Sequence, residues 1–374
     1  MPRVDIGVRM ALLKMSKMKV LIVKTSALGD IIHALPVLAC LKTLHDELDI
    51  DWVVESRFEE LLRNHPLISG IIVVDTKKWR KNFFSFACWV DFFKVMRALR
   101  KQQYDVVFDL QGNLKSGLIT FFTQSSMKVG LAPQYMQERI NRLFVDVVGS
   151  GCSSKHISDI YIHTVQSFYD HTCQPNLISG IYTSPEDDAA ATALLGTFSS
   201  FPTVCIHHGT TWETKFWHDD GWIYVARQIL SEYPSASIIL SSGTQDEFRH
   251  ANELAQLIGS QRVIVLPVVS LKQFVAVLKQ VTLVLGGDTG PVHLAAAVGT
   301  ATVSLYRSSD GDRSGPRGEK HVCIQSPLSC TRCFKTKCPD TVTCMHSILP
   351  EKVFGAAANL IHGLKINGAM CSEG

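Results

Sequence analysis

Residues 283–297 read LVLGGDTGPVHLAAA. The short apolar run Leu283–Gly286 has the character of a buried strand, and it runs straight into a glycine loop. Pro291 then falls in the first turn of a helix, where its fixed φ and missing N–H are both tolerated. Ala295, Ala296, Ala297 and Gly299 give that helix a small-residue face that packs close to its strand. Strand, glycine loop and helix N-terminus together form a cradle for a pyrophosphate, because free backbone N–H groups and the helix dipole both favour an anion there. Asp288, Thr289, Gly290 and His293 line it, with Thr289 and His293 supplying further donors. The alternative is a tight turn without a ligand.

Outward from this unit the pattern repeats. Lys19–Val23, Ile50–Val54, Gly70–Val74 and Asp105–Asp109 read as strands, with helical spacing over Asp30–Leu41 and Trp89–Leu99. The stretch Asp170–Asp188 concentrates Pro, Ser, Asp and Gly, which is loop chemistry. The alternation then restarts with strands at Thr203–His207, Ala236–Leu240, Arg262–Leu266, Leu283–Gly286 and Ala301–Tyr306. Helices are expected over Gly221–Glu232, Asp246–Ile258, near Leu271–Leu278 and from Pro291, and a last docking helix over Pro350–Leu364. Short continuous apolar strands alternating with helices predict parallel sheets covered on both faces, an α/β fold. The expected division is a leader over 1–17, one Rossmann-like domain over 18–180, a second over 181–349, and a closing helix and tail over 350–374.

Composition narrows the function. The 374 residues are 46% hydrophobic and 19% charged, ordinary for a globular protein, and no apolar run reaches membrane-span length. Net charge is +3, with 21 basic against 15 acidic residues in 1–150 and 16 against 19 in the remainder. A mildly basic first half suits an anionic small partner and is too weak for duplex nucleic acid. Eleven cysteines without an export signal are expected as reduced thiols. Cys330, Cys333, Cys338 and Cys344, spaced C-x2-C-x4-C-x5-C, have the ligand count of a structural zinc but not the paired spacing of a zinc ribbon, so reduced structural thiols are the preferred reading.

Three further loops carry candidate chemistry. In KTSALGDIIHALP (Lys24–Pro36), Gly29 admits a close ligand and Asp30 stands near a helix N-terminus, as a base or simply as a cap. The dinucleotide fingerprint G-x-G-x-x-G is absent from this loop, which disfavours a nicotinamide enzyme. In HHGTTWETKFWHDDGW (His207–Trp222), Thr210, Thr211 and Lys215 suit a diphosphate, while the Trp residues either stack on a ligand or anchor the core. In SSGTQDE (Ser241–Glu247), Glu247 is placed to meet ribose hydroxyls or to serve as a first-turn acid.

Taken in order, KTSALGDIIHALP, DLQGNLKSG (Asp109–Gly117), TTWETKFW (Thr210–Trp217) and GGDTGPVHLAAA (Gly286–Ala297) resemble the bacterial ADP-heptose:lipopolysaccharide heptosyltransferases. KKWRKNFFS (Lys77–Ser85) looks most like the type I enzymes, which add the first heptose to the Kdo of the inner core. Ala27 stands where type I enzymes often carry Ser, and the Cys-rich tail is more similar to other branches. The resemblance implies a GT-B fold, two Rossmann-like domains facing across a cleft, the first taking acceptor and the second the ADP-heptose donor. It implies Asp30 as general base, Thr210, Thr211 and Lys215 on diphosphate and sugar, Glu247 on the adenosine ribose, and Asp288, Thr289, Gly290 and His293 on heptose and phosphates. Lys77, Lys78, Arg80 and Lys81 become candidates to meet Kdo carboxylates or lipid phosphates, with Trp79, Phe83 and Phe84 touching lipid. A Kdo-lipid A acceptor, peripheral contact with the cytoplasmic face of the inner membrane, no required cofactor and no nucleic acid follow from the same likeness. A transferase acting on a later core heptose, a GT-B sugar-nucleotide epimerase and a non-catalytic binding protein are the alternatives.

Overall fold

A computed structural model describes residues 17–45, 47–81, 85–173, 180–198 and 201–371. Residues 1–16 of the expected leader, Phe83 and Phe84, and residues 174–179 of the Pro- and Ser-rich stretch lie outside them. The chain divides into two compact units, one ending at Tyr182 and one beginning at Thr183.

The first unit is built on six parallel strands: β1 (Met18–Val23), β2 (Leu48–Glu55), β3 (Gly70–Val74), β4 (Gln103–Asp109), β5 (Gln124–Gly130) and β6 (Val147–Val148), in the order β3-β2-β1-β4-β5-β6. Lys19 apart, β1 is buried along its length, as expected of a central strand covered on both faces. On one face, Leu21, Val23, Val53 and Val107 pack with Met96 and Leu99 of the helix Phe86–Lys101 and Ile119 of the helix Leu114–Phe122. The single helix expected over Asp30–Leu41 is two, Leu28–Ala34 and Pro36–Leu44. Pro36 has no N–H to continue the first ladder, so it opens the second helix instead. Cys40 on that second helix is joined to Cys173, with Cα atoms 5.5 Å apart. This corrects the expectation of uniformly reduced thiols: two cysteines 133 positions apart in sequence become neighbours because the helices Pro36–Leu44 and Ile157–Tyr169 pack together.

The second unit repeats the plan with β7 (Thr203–His207), β8 (Ser237–Ser241), β9 (Val263–Val265), β10 (Leu283–Gly287), β11 (Ala301–Tyr306) and β12 (His321–Gln325), again all parallel, in the order β12-β11-β10-β7-β8-β9. Trp217 and Trp222 are buried in its core with Val225, Ile229 and the strand residues Ile206 and Leu285, so they are packing anchors and not stacking platforms. The last helix begins at Pro350, as expected, and continues to Cys371. Its buried Val353, Ala357 and Ile361 recur every four residues, a stripe that docks against the helix Asp219–Glu232 and the strands beneath.

Both sheets therefore have the doubly wound order in which the chain reverses direction of winding beside the first strand. Ligands in such sheets bind outside the carboxyl ends of the strands flanking that switch point. Those strands are β1 and β4 in the first unit, and β7 and β10 in the second.

Candidate active site

In the first unit the loop after β1 is held by the loop after β4. The Gln111 side-chain carbonyl accepts from the backbone N–H groups of Thr25 and Ser26, each at 3.1 Å. Gln111 is itself set by Asp109, whose Oδ1 accepts from the Gln111 and Gly112 amides at 3.0 Å and whose Oδ2 accepts from Asn141 at 2.7 Å. Gly112 has φ +70°, and a Cβ there would press on Leu131 and the Met136 backbone, so the turn requires glycine. Asp109 is fully buried, and burial pushes its pKa up against the opposing hydrogen bonds. The DLQGN segment is thus a lock that shapes the Lys24–Ala27 loop. Gly29 lies in the first turn of the helix Leu28–Ala34, and half-buried Asp30 follows, its Oδ2 accepting from the Ala27 amide at 3.1 Å. Lys24 is completely buried, its Nζ donating to the Leu110 carbonyl at 3.2 Å and the Tyr161 hydroxyl at 2.8 Å.

Lys77, Lys78 and Lys81 are exposed on the helix Thr76–Lys81, which also carries Arg80; Lys78 pairs with Asp91 at 2.9 Å. Trp79, expected at lipid, is half-buried and meets Phe92 edge-on at 5.3 Å, packed on the core. Its apolar ring is used inward, where the helix needs an anchor.

In the second unit the loops after β7 and β10 converge. Lys215 Nζ donates to Asp288 Oδ2 at 2.6 Å and to the Asp288 carbonyl at 3.1 Å, and stands over the Trp212 ring at 4.6 Å. Asp288 Oδ1 accepts from His293 Nε2 at 3.0 Å. Burial works to raise the Asp288 pKa, but the His293 hydrogen bond and the His293 and Lys215 charges overcome it and hold the carboxyl below its usual range. The two glycines make this approach feasible: a Cβ on Gly286 would run into Val292, and one on Gly287 would lie 3.2 Å from the Lys215 carbonyl. Thr289 precedes the helix Gly290–Ala297 in extended conformation, its hydroxyl turned back to the Gly287 carbonyl at 3.3 Å. The first amides of that helix are left without intrahelical partners, as in any helix opening.

A second group sits after β7 and β8. Glu247 Oε2 accepts from the Gly243 amide at 2.7 Å, and a Cβ on Gly209 would collide with the Glu247 carboxylate, which places that acid directly over the β7 loop. His207 and His208 follow β7, and burial pushes both pKa values down to about 4. Both His208 ring nitrogens, Thr210 Oγ1 and Ser242 Oγ are buried without a hydrogen-bond partner among the described residues. Orphaned buried polar atoms gathered at one mouth are unusual unless something polar completes them.

A model of glycosyltransferase family 9 (heptosyltransferase) matches residues 92–343. The chain belongs to that family. Lipopolysaccharide heptosyltransferase 1 of Pseudomonas aeruginosa is 31% identical over 321 residues, covering 86% of this chain and 87% of its own. The structure of E. coli heptosyltransferase WaaC with ADP superposes with a TM-score of 0.75 at 25% identity, covering 92% of this chain and all of that one. WaaC with ADP-2-deoxy-2-fluoro heptose gives 0.70 at 27% identity, with 83% and 94% covered. The paired parallel sheets and these neighbours place the fold in the GT-B class, and the protein is a glycosyltransferase.

In this heptosyltransferase the expected donor residues Lys215, Asp288, Thr289, Gly290 and His293 form one connected group, with Thr210 in the loop leading to Lys215 and Thr211 exposed beside it. Glu247 is brought to the same strand ends by its contact with Gly209. The cysteine segment has a different use from the zinc site considered. Cys330 and Cys333 are exposed, Cys338 and Cys344 half-buried, and among the described residues no three His, Cys, Asp or Glu side chains converge to hold a metal ion. The segment instead braces the Lys215 loop: Thr214 donates to the Lys335 carbonyl at 2.5 Å, Thr341 to Glu213 at 2.7 Å, and Trp217 to the Ile348 carbonyl at 3.0 Å. Sequence reasoning missed His207 and His208 as site residues; the signal was a His pair at the end of a buried strand. It also missed buried Arg307 after β11, which donates to Cys344 Sγ at 3.8 Å.

Proposed function

We propose that this heptosyltransferase moves L-glycero-D-manno-heptose from ADP-heptose to the Kdo of a lipopolysaccharide inner core, with inversion at the anomeric carbon. The observation that carries the reading is the Lys215–Asp288–His293 group at a helix N-terminus, beside unpartnered Thr210 and His208. That set of donors suits a sugar diphosphate. The names of the relatives supply the rest: a heptosyltransferase 1 and structures holding ADP or an ADP-heptose analogue.

The acceptor oxygen forms its bond to the anomeric carbon as the bond to the diphosphate oxygen breaks on the opposite face. Asp30 takes the hydroxyl proton; negative charge grows on the departing ADP. Lys215 and the Thr289–Gly290 amides stabilise that charge with groups already in place. Asp288 orients Lys215 and His293, Thr210 and Thr211 reach phosphate and sugar, and Glu247 bonds the ribose. Lys77, Lys78, Arg80 and Lys81 take the acceptor's carboxylates and phosphates. Because the acceptor is a glycolipid, the enzyme works as a peripheral protein at the cytoplasmic face of the inner membrane; no described helix is long and apolar enough to cross it.

ADP release from ADP-heptose tests the reading, with Kdo-bearing lipid A, a heptosylated core or no acceptor present. Release only with the Kdo acceptor, lost in Asp30→Ala, is expected. Release only with the heptosylated core would move the enzyme one step along the core. Free heptose without acceptor would make it a hydrolase or epimerase-like protein and end the proposal.

A further inference from the structure

One face of the first unit is apolar where it meets solvent. On the helix Phe86–Lys101, positions 86, 89, 90 and 93 all point outward, with Phe86 84% and Phe93 61% exposed. That i, i+3, i+4, i+7 stripe is what a helix normally turns toward a core, and here the opposite stripe, with Met96 and Leu99, already fills the core. Phe121 on the helix Leu114–Phe122 is 57% exposed, and Leu143 in the Arg139–Phe144 turn is 78% exposed. The rings are in contact across the three elements: Trp89 meets Phe92 and Phe93, Phe92 meets Phe122, and Phe122 meets Phe121, which meets Phe144. The patch is therefore continuous.

Its rim is basic. From Thr76 to Lys101 there are eight Lys or Arg and one Asp. Lys94, Arg97, Lys115, Arg139 and Arg142 are exposed around the apolar centre. Arg100 lies over Phe122 at 5.1 Å, the posture of a long exposed side chain that covers apolar surface while its head faces solvent, and half-buried Lys128 lies over Phe121 at 5.9 Å with its Nζ donating to the Phe121 carbonyl at 3.1 Å.

We propose that this face, formed by the helices Phe86–Lys101 and Leu114–Phe122 and the Arg139–Phe144 turn, docks on an anionic lipid bilayer. The rings enter the acyl boundary and the Lys and Arg rim takes the headgroup phosphates. A second copy of the chain is the poorer occupant, because a two-fold contact would set the basic rim against itself. The choice of lipid rests on the glycolipid acceptor assigned above; the surface itself does not.

Vesicle sedimentation of the full chain, without sugar nucleotide, tests it. Vesicles of phosphatidylethanolamine with phosphatidylglycerol and cardiolipin are compared with phosphatidylcholine vesicles, at 0.15 M and about 1 M salt. The protein is expected to partition onto the anionic vesicles, at least about tenfold less onto neutral ones, and less at high salt. The exposed-site variant Phe86→Ser/Phe93→Ser/Leu143→Ser should lose about tenfold or more of that partition while melting with the parent, and Lys94→Glu/Arg97→Glu should do the same. Both variants should keep parental turnover on detergent-dispersed acceptor and lose it on vesicle-embedded acceptor. Equal partition of parent and variants, or no preference for anionic vesicles, overturns the proposal. So does a parent dimer that the Ser variant dissociates, which would give the face to a second copy. A protein that binds vesicles through this face but releases no ADP would keep the surface and refute the proposed reaction.

Discussion

Replacing Asp288 by Asn separates a structural role from a charge. In the parent, the Asp288 carboxylate serves Lys215 at 2.6 Å and His293 at 3.0 Å, with the three side chains 8%, 17% and 6% exposed. Asn keeps a carbonyl for His293 but offers Lys215 no counter-charge. Removing one partner of a buried pair costs about 3–5 kcal/mol, because the other charge stays buried without compensation. Lys215 retains the Asp288 backbone carbonyl and some solvent, so the lower end, about 3 kcal/mol, is expected. For a unit of this size that is a fall of about 6–12 °C in melting temperature. Lys215→Met in the same background should restore part of it, since the uncompensated charge is then gone.

Calorimetry at pH 7 on the parent, both single variants and the double variant closes this cycle. On the proposed role of Lys215 at the leaving diphosphate, turnover should fall in Asp288→Asn as well, because the ammonium loses the carboxylate that holds it. The pH dependence adds an independent check. The folded Asp288 pKa lies below the unfolded value near about 3.9, so its contribution is complete above that value and is lost as pH falls through the folded pKa. The gap between parent and Asp288→Asn should therefore hold from neutral pH down to about 4 and narrow only below it. Equal melting at pH 7, or strictly additive losses in the double variant, would refute the reasoning.

Asp30→Asn keeps an acceptor for the Ala27 amide, so it should melt within about 0.5 kcal/mol of the parent yet turn over about 100-fold or more slowly; Asp30→Ala should in addition lose about 1 kcal/mol of stability. Parental turnover in the Asn variant would leave Asp30 only a cap. His207 and His208, held neutral by burial with folded pKa values of about 4, make the unfolded chain the better proton binder between about pH 6.5 and 4. Stability should thus decline as pH falls through that window, by at most about 3 kcal/mol for each His, and His208→Gln should flatten the decline measured by denaturant midpoint.

The central strands β7 and β11 were legible because each is a short, doubly buried apolar run: Thr203–His207 and Ala301–Tyr306 lie where their sequence puts them. β5, next to the two-residue edge strand β6, and the edge strand β12 were not. β5, QSSMKVG, starts polar and is exposed at its first position, and β12 carries His321 and an exposed Cys323, so neither shows the run that marks a buried strand. Register with a parallel neighbour, not composition, makes them strands. The helix Ile157–Tyr169 and the helix Pro185–Leu195 went unread for related reasons. The second of these begins with a Ser184–Asp187 capping box inside a stretch whose Pro, Ser and Asp look like linker, and those same residues are good helix starters.

The site divides along a similar line. Residues whose role depends on their own loop, such as Gly286 and Gly287 before Asp288, could be recognised from spacing alone. Residues whose role depends on another loop could not. Gln111 matters because it fixes the Thr25 and Ser26 amides, and nothing in DLQGN announces that partner. The cysteine segment is the sharpest instance: its spacing left structural thiols or a zinc as the choices and gave no sign of a brace on the loop carrying Lys215, which its contacts show. Lys215 is therefore positioned from both sides, by Asp288 at its ammonium and by Lys335 and Thr341 of the cysteine segment at its chain neighbours Thr214 and Glu213. A cation held in this way has little to reorganise as charge grows on a nearby group, which is the property the role proposed for Lys215 at the leaving diphosphate requires.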